Sequence, residues 1–299
     1  MTNSASETND GILLLDKPAG ITSNAALMRA KRVLGIRKAG HTGALDPLAT
    51  GLLPLCFGQA TKVSAFLLDA DKCYLADLKL GEETASGDAE GEAIATAEVP
   101  ALDRERVEQV LEGFRGPIDQ VPPMHSALKH KGRRLHELAR AGIEVERKPR
   151  RVTIHELELL DLDPPRMTLR VACSKGTYIR SLAIDIGRAL GCGAHLGGLR
   201  RETSGPFSLA DAVTLAKLEE MTPGQARALL LPPDAALPDV PRVDLEPAEA
   251  TDLGHGKAVA TGCGGTGLVR MYAGGIFLGL GRIDERGVLR VRRLFARET

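Results

Sequence analysis

The apolar positions of the first two thirds of the chain fall into short runs and alternating segments. An unbroken apolar run at 11–15 ends at Asp16, Lys17 and Pro18, which predicts a buried strand followed by a turn. Other segments are apolar or alternate between apolar and polar positions, and two of them flank a Pro-rich turn, as paired strands do. The predicted strands cover 11–15, 52–57, 73–80, 151–162 and 167–174.

Helical spacing marks other segments. Leu27, Ala30 and Leu34 form one apolar stripe, which Ser23 is predicted to cap and Gly35 to end. Further helices are predicted at 61–68, 103–114, 179–190 and 214–231. Strands and helices are therefore mixed along one chain.

The pattern changes after residue 231. A proline-rich linker runs to about 241, and a short helix near 247–253 precedes three glycine-punctuated strands at 267–273, 276–284 and 288–295. The glycine pattern GxGxxG begins at Gly262, but a strand rather than a helix is predicted to follow it. Dinucleotide binding needs that helix, so we interpret the motif as a loop.

The composition excludes several classes of protein. The chain has 299 residues, of which 43% are hydrophobic and 26% charged, as in an ordinary globular protein. No apolar run has membrane-spanning length, and the polar first ten residues are unlike a secretory signal. Five cysteines without paired spacing favour a reducing cytoplasm, and the missing CxxC and HExxH motifs argue against zinc.

A formal net charge of zero hides blocks of opposite sign. Residues 17–38 hold six Lys or Arg and no acid, residues 124–151 hold nine against three Glu, and residues 82–119 hold eleven acids against three Arg. Such blocks are typical of solvated faces, and two basic blocks also suggest a polyanion footprint. Aromatic residues make up only 3%, which argues against an RNA surface built from several stacking side chains.

One segment combines glycines, prolines and ionisable groups. Residues 41–51 read HTGALDPLATG, and we call them the signature loop. Gly43 and Gly51 allow unusual backbone angles, while Pro47 keeps Asp46 out of helical geometry. The loop therefore presents Asp46 and His41, either as a plain turn or as part of a functional site.

The signature loop resembles that of the TruB family of tRNA pseudouridine-55 synthases. Further matches follow in the family's order: GILLLDKPAGITS at the start, Tyr74 after Lys72 and Cys73, TASGDAEGE at 84–92, VPPMHSALK at 121–129 and CSKGTYIRSLA at 173–183. Ala44 departs from the family, which usually has Thr there. The resemblance covers most of residues 11–205, and the part after 240 is similar to a PUA domain.

This resemblance implies an α+β fold with a mixed, largely antiparallel central sheet, flanked by helices and loops, and a small C-terminal β-barrel PUA-like domain. It also implies an isomerase that flips a uridine out of tRNA and converts it to pseudouridine. Asp46 is the implied catalytic carboxylate and Arg180 its ion-pair partner. The remaining residues implied to bind the substrate are Tyr74, which stacks on the uracil, Tyr178 and Leu199 in the base pocket, and His41 as the wedge that replaces the flipped base.

The implied RNA contacts lie mainly in a basic insertion at 117–151, which closes over the T loop in the family and contains a short helix near 135–139. The predicted contacts to the RNA backbone are Lys17, Lys129, Lys131, Arg133 and Arg134, with Arg200 and Arg201 also expected to reach phosphates. The resemblance also places the Lys17–Pro18 pair near the signature loop in a supporting role, and a plain turn at the end of the strand is the alternative. His125 stands where the family often has Tyr, which removes one aromatic contact.

We therefore expect a disordered tail at 1–10, a catalytic domain at 11–236 and the PUA-like domain at 237–299. The expected partner is tRNA, through its T arm and T loop. We expect a cytoplasmic monomer with no cofactor, no metal, no membrane contact and no obligate protein partner.

Two other functions remain open. A guide-RNA-dependent relative would carry long basic tails and partner surfaces, and a non-catalytic RNA-binding or tRNA-folding protein would keep only the scaffold. The short tail and intact insertion favour the stand-alone enzyme, as does the set of Asp46, Tyr74 and Arg180. A haloacid-type phosphatase is excluded because Leu48 stands where that class needs a second Asp.

Overall fold

The computed structural model describes residues 9–295, except 125, 127, 128, 131, 144, 263 and 264. Most of the predicted tail at 1–10, together with Lys131 and His125, therefore lies outside the described residues. No helix in the described ranges combines the length and apolarity that a membrane crossing requires.

The strands occur throughout the chain. They are β1 (Gly11–Lys17), β2 (Ala39–His41), β3 (Thr50–Phe57), β4 (Lys72–Leu80), β5 (Glu82–Thr84), β6 (Ala93–Thr96), β7 (Gly116–Gln120), β8 (Lys129–His130), β9 (Arg133–Arg134), β10 (Arg150–Asp163), β11 (Arg166–Cys173), β12 (Ala194–Ser204), β13 (Phe207–Ser208), β14 (Val213–Thr214), β15 (Arg242–Asp244), β16 (Val259–Ala260), β17 (Gly267–Ala273), β18 (Ile276–Ile283) and β19 (Val288–Leu294).

The helices connect these strands. They are α1 (Ser23–Leu34), α2 (Ser64–Asp69), α3 (Arg104–Glu112), α4 (Leu135–Arg140), α5 (Ile179–Leu190), α6 (Leu215–Glu219), α7 (Pro223–Arg227) and α8 (Pro247–Gly254), with short 3-10 turns at Gly58–Lys62, Leu209–Asp211 and Pro233–Ala236.

One large sheet organises the first 214 residues. Its order is β14–β1–β3–β12–β4–β11–β10–β7, with β13 added to β12 and β2 added to β3. In the described residues, β1–β14 and β3–β12 pair in parallel and the other neighbours are antiparallel. This confirms the predicted α+β class with a mixed, largely antiparallel sheet.

Two clusters of apolar side chains pack helices against different strands of this sheet. The first packs α3 and α5 against the inner residues of β4, β10, β11 and β12. The second packs α1, α6 and α7 against β1 and β3. Tyr74 and Leu199 contact both clusters, so these two residues lie where the clusters meet.

Two helix predictions need correction. Thr22 rather than Ser23 caps α1, because the Thr22 side chain accepts a hydrogen bond from the backbone N–H of Ala25. The helix predicted at 214–231 is instead two short helices, because Thr222 and Gln225 form a capping box that starts α7 at Pro223. The remaining predicted strands and helices are confirmed, with ends shifted by a few residues.

The C-terminal region forms a second sheet with the order β15–β17–β18–β19–β16 and a small core of its own. Leu280, Phe277 and Phe295 reach out of this module into an apolar cluster with β1, β3 and α2. Lys62 adds polar contacts, donating to the Leu294 carbonyl at 2.5 Å, while Arg293 donates to the Lys62 carbonyl at 3.0 Å. The predicted PUA-like domain is thus a five-stranded module docked on the first sheet.

Candidate active site

Hydrogen bonds from α1 and from within the signature loop fix its conformation. The Ser23 hydroxyl accepts from the Leu45 N–H at 2.7 Å and donates to the Leu45 carbonyl at 3.0 Å. Buried Thr42 donates to the Pro54 carbonyl at 3.2 Å. Ser23 therefore fixes the residue next to Asp46, which explains why Thr22 takes the capping role.

Lys17 is a buried support for the same loop. Its ammonium donates to the carbonyls of Pro18 and Ile21, both at 2.8 Å, and of Pro47 at 3.4 Å. Burial lowers the pKa of Lys17 to about 8, an effect that the charge of nearby Asp46 opposes. Lys17 has no exposed surface, so the predicted contact with the RNA backbone is wrong. Its hydrogen bonds agree with the other expectation, a supporting role near the signature loop.

Asp46 forms the ion pair that the resemblance implies. Arg180 Nε lies 3.0 Å from Asp46 Oδ2, and the two side chains are 7% and 45% exposed. Arg180 is thus fixed within the protein, whereas Asp46 faces an accessible space. A buried guanidinium beside this carboxylate favours its ionised form.

A second carboxylate holds Arg180 from the other side. Asp88, 5% exposed, lies 3.4 Å from Arg180 NH1, which also donates to the Ser86 carbonyl at 3.1 Å. The loop carrying Asp88 is bonded to β12, since Ala89 donates to the Leu196 carbonyl and Leu196 to the Gly87 carbonyl, each at 3.0 Å. This loop is the matched segment TASGDAEGE at 84–92, and Asp88 connects it directly to Arg180.

Tyr74 and Leu199 lie on neighbouring strands beside the loop. Tyr74 is half-buried on β4, where burial raises the pKa of its phenol and the guanidinium of Arg201 opposes that rise. Leu199 is also half-buried, two residues before Arg201 on β12. Both residues are partly exposed beside the loop, and their roles in binding a base stay predictions.

Tyr178 ties the site to the start of the basic insertion. It precedes α5, and its N–H donates to Gln120 Oε1 at 3.0 Å while the Gln120 amide donates back to the Tyr178 carbonyl at 3.3 Å. Ser181 donates to the Val121 carbonyl at 3.0 Å. The chain entering the insertion is therefore bonded to the helix that carries Arg180.

His41 ends β2 at the rim of the loop and is half-buried. Burial and the charge of Arg201 lower its pKa, which favours the neutral ring at neutral pH. Within the described part of the chain, its buried Nδ1 has no hydrogen-bond partner. The wedge role of His41 stays a prediction.

The other predicted RNA contacts fall into two groups. Lys129 belongs to β8 and Arg133 and Arg134 to β9, a two-stranded hairpin in the insertion, with Arg133 exposed. Arg201, by contrast, is 1% exposed and cannot reach a phosphate, so that expectation is wrong. Arg200 is half-buried, and its NH2 lies 2.8 Å from Asp16 Oδ2.

No metal centre is apparent in the described ranges, where no three His, Cys, Asp or Glu side chains are grouped as metal ligands. The reaction's independence from metals and cofactors stays a prediction. The residues that sequence reasoning missed are Asp88, Gln120 and Ser23 as supports of the site. Two of these had a signal in the sequence: Ser23 as a hydroxyl next to a helix start, and Asp88 as part of the matched segment at 84–92.

Three family models match consecutive parts of the chain. Residues 31–179 match the TruB family pseudouridylate synthase N-terminal domain, and 180–238 match the tRNA pseudouridylate synthase B C-terminal domain. Residues 241–295 match the pseudouridine synthase II TruB C-terminal model. Fold and site thus define a pseudouridine synthase.

Close relatives extend over almost the whole chain. The tRNA pseudouridine synthase B of Aromatoleum aromaticum is 56% identical over 95% of this chain and 92% of the relative. That of Dechloromonas aromatica is also 56% identical, over 95% of both chains. This chain belongs to the TruB family.

Solved structures agree with this assignment. A chain in the structure of an H/ACA RNP bound to a substrate RNA containing 2′-deoxyuridine has a TM-score of 0.73 at 26% identity, covering 97% of this chain and 86% of that one. A chain of a Cbf5–Nop10–Gar1 complex has a TM-score of 0.71 at 29% identity, covering 93% and 80%. The likeness includes both the large sheet and the C-terminal module.

Proposed function

We propose that this protein isomerises the uridine of the tRNA T loop to pseudouridine as a stand-alone enzyme, with Asp46 as the catalytic carboxylate. The protein is a tRNA pseudouridine synthase, an isomerase, as its full-length relatives indicate. The proposal adds the T loop as target and assigns the residues. Its main support is the ion pair between half-exposed Asp46 and buried Arg180.

The chemistry needs a carboxylate and an enclosed base pocket. The reaction breaks the N1–C1′ bond, forms a C5–C1′ bond and moves the C5 proton to N1, so atoms balance without an external reactant. Asp46 could attack C1′, attack C6 or remove the C2′ proton. Each route needs an ionised oxygen, which a buried guanidinium at 3.0 Å favours.

The other pocket residues bind the flipped uracil and replace it in the RNA. Tyr74 stacks on the uracil, and Leu199 and Tyr178 enclose it. Extraction of a base from folded RNA costs a few kcal/mol, and His41 occupies the vacated place. These assignments rest on the family's motifs and, for Tyr74, on its electrostatic interaction with Asp46.

The basic insertion supplies the RNA contacts in this proposal. Lys129, Lys131, Arg133 and Arg134 meet the backbone of the T arm, and the bonds of Gln120 and Ser181 to α5 connect this segment to the site. The C-terminal module contacts another part of the tRNA. We propose a monomer acting in the cytoplasm, where its tRNA substrate is found.

A guide-dependent function is the second candidate, because the similar solved structures named above include an H/ACA RNP. The test is to incubate the purified protein with unmodified tRNA and with an isolated T-arm stem-loop, without guide RNA, and to map pseudouridine. Product at the T-loop uridine of both substrates is expected. Failure with both would refute the proposed function, and product elsewhere would refute its T-loop target.

A further inference from the structure

Arg201 is a fully buried arginine directly beneath the signature loop. Its Nε donates to the Leu52 carbonyl at 2.6 Å and its NH2 donates to the Gly43 carbonyl at 3.1 Å. Gly43 precedes Asp46 and Leu52 follows it. One guanidinium therefore joins the two sides of the loop that carries the carboxylate.

The glycines of the loop lie against the same arginine. A Cβ added to Gly43 would be 3.6 Å from Arg201 NH1, and one added to Gly51 would be 2.4 Å from the Arg201 carbonyl oxygen. Gly51 has φ of +99°, so both its conformation and its contact exclude a side chain. Both ends of the loop therefore pack against Arg201.

The opposite flank of Arg201 faces the base pocket. Arg201 pairs with Gly51 on β3 and with Tyr74 on β4, and its guanidinium interacts with the Tyr74 hydroxyl. The β12–β4 register shifts on both sides of this point, between Leu196 and Gly198 and again between Arg201 and Thr203. Bulges of this kind redirect side chains beside active sites.

We propose that Arg201 is a positioning residue that sets the distance between Asp46 on the signature loop and the uracil stacked on Tyr74. This inference rests on the proposed function, because it assumes that Tyr74 holds the base. Arg201 is 1% exposed, and the hydrogen bonds of its Nε and NH2 go to the backbone carbonyls of Leu52 and Gly43, not to the Asp46 carboxylate. Arg201 acts by holding the signature loop and Tyr74 against one guanidinium group.

This role differs from that of the other supports. Ser23 and Lys17 bond the middle of the loop, at Leu45 and Pro47, to β1 and α1. Neither of these contacts involves the strand that carries Tyr74. Arg201 alone among these three links the loop to Tyr74, so its loss should change geometry more than substrate binding.

The test uses Arg201→Met and Arg201→Lys, with Arg227→Met as the matched control. Arg227 is half-buried, and its Nε also donates to a backbone carbonyl, that of Leu34 at 2.9 Å, at the opposite end of α1 from the loop. Activity is measured on the T-arm stem-loop, and melting temperature is measured for each variant.

We expect Arg201→Met to lower kcat about 100-fold, because displacements near 1 Å have costs of that order. KM should change by less than about threefold, since substrate binding is not removed. Arg201→Lys should recover about tenfold of kcat, because one ammonium can reach one of the two carbonyls but cannot span both. Arg227→Met should lose stability and keep kcat within about twofold of wild type.

A second readout needs no substrate. Arg201 lowers the pKa of His41, so Arg201→Met should raise that pKa in an NMR titration, with the resonance assigned by His41→Gln, and Arg227→Met should not. Wild-type kcat in Arg201→Met, equal loss in Arg227→Met, or an unmoved His41 pKa would overturn the inference. If Arg201→Met does not fold, an unchanged kcat in Arg201→Lys would overturn it. An inactive wild type would instead refute the proposed function.

Discussion

The candidate active site and the C-terminal module use charge in opposite ways. In the site, Arg180 and Asp88 are almost fully buried and Lys17 is completely so. In the module, Arg290 and Asp284 form a 2.6 Å pair whose side chains are 60% and 40% exposed. Buried charges hold atoms at fixed distances, whereas exposed ones contribute little to stability and remain accessible to a polyanion.

The seam between the first sheet and the module combines half-buried and exposed charges with apolar packing. Lys62 and Arg293 donate to backbone carbonyls across it, and Phe295 packs under the Lys62 ammonium with 5.3 Å to the ring centre. The Tyr272 hydroxyl of the module donates a hydrogen bond to the Asp234 carboxylate of the linker. Burial, together with this carboxylate, raises the pKa of Tyr272 to about 12. The module is therefore attached by an apolar cluster and by polar contacts at its edge, and it presents exposed charges outward.

Among substitutions of charges that support Asp46 or hold the module, the largest effect is expected from Arg180→Met. Asp46 would lose its ion-pair partner, and activity should fall at least ~100-fold, as for loss of a preorganised charge contact. Buried Asp88 would be left without its cation, at a cost on the order of 3 kcal/mol in unfolding free energy. Stem-loop kinetics and urea unfolding measure the two effects.

A double variant separates these two effects. Arg180→Met with Asp88→Asn removes the unpaired buried charge, so stability should recover in part while activity stays low. If activity recovered together with stability, Arg180 would serve only the fold, and its proposed role beside Asp46 would be wrong.

A smaller effect with a defined pH dependence is expected from Lys17. Its pKa is about 8 in the folded protein against an ordinary 10.5. Between these values the unfolded chain binds the proton that the folded protein has released, so wild-type stability rises with pH. Lys17→Met lacks this contribution.

The stability advantage of wild type over Lys17→Met should therefore widen between about pH 8 and pH 10.5, by an amount on the order of 2 kcal/mol. Urea unfolding at several pH values measures it, with Lys79→Met controlling for loss of a surface lysine. An advantage that shrinks over this range would mean that the Lys17 site does not disfavour the charged form.

The smallest effect is expected from Arg290→Met in the module. Its exposed pair with Asp284 should leave the melting temperature unchanged within error. If the module contacts RNA, affinity for whole tRNA should fall slightly and the salt slope should decrease by about 0.7 to 0.9, the range for one phosphate contact. Affinity for the stem-loop should stay the same. An unchanged slope for whole tRNA would remove Arg290 from the RNA interface.

Local pattern was enough to predict most of the fold. β1 is apolar because it is buried on both faces, and α5 carries a clear stripe that ends at Gly191 with φ of +88°. The helix at 214–231 was wrong because Thr222, Pro223 and Gln225 start a new helix inside an otherwise helical pattern. That capping signal was present in the sequence.

The site was predictable only where a motif identified it. The Asp46–Arg180 pair followed from the family resemblance, and the structure places the two groups together. Asp88 joins Arg180 through the approach of a loop to β12, which no local pattern encodes. Arg201 looked like a surface arginine in a strand, and its burial depends on two bulges and on the loop above it.

Pseudouridine formation by Asp46→Asn tests the account most directly. Asparagine keeps the size of the side chain and removes the ionised oxygen, so product from the T-arm stem-loop should fall below detection. Binding should persist, because the substitution removes a negative charge that repels the RNA backbone. Protein must be prepared free of wild-type enzyme and compared at equal concentration. Product at a rate comparable with wild type would contradict the assignment of Asp46 as the catalytic carboxylate.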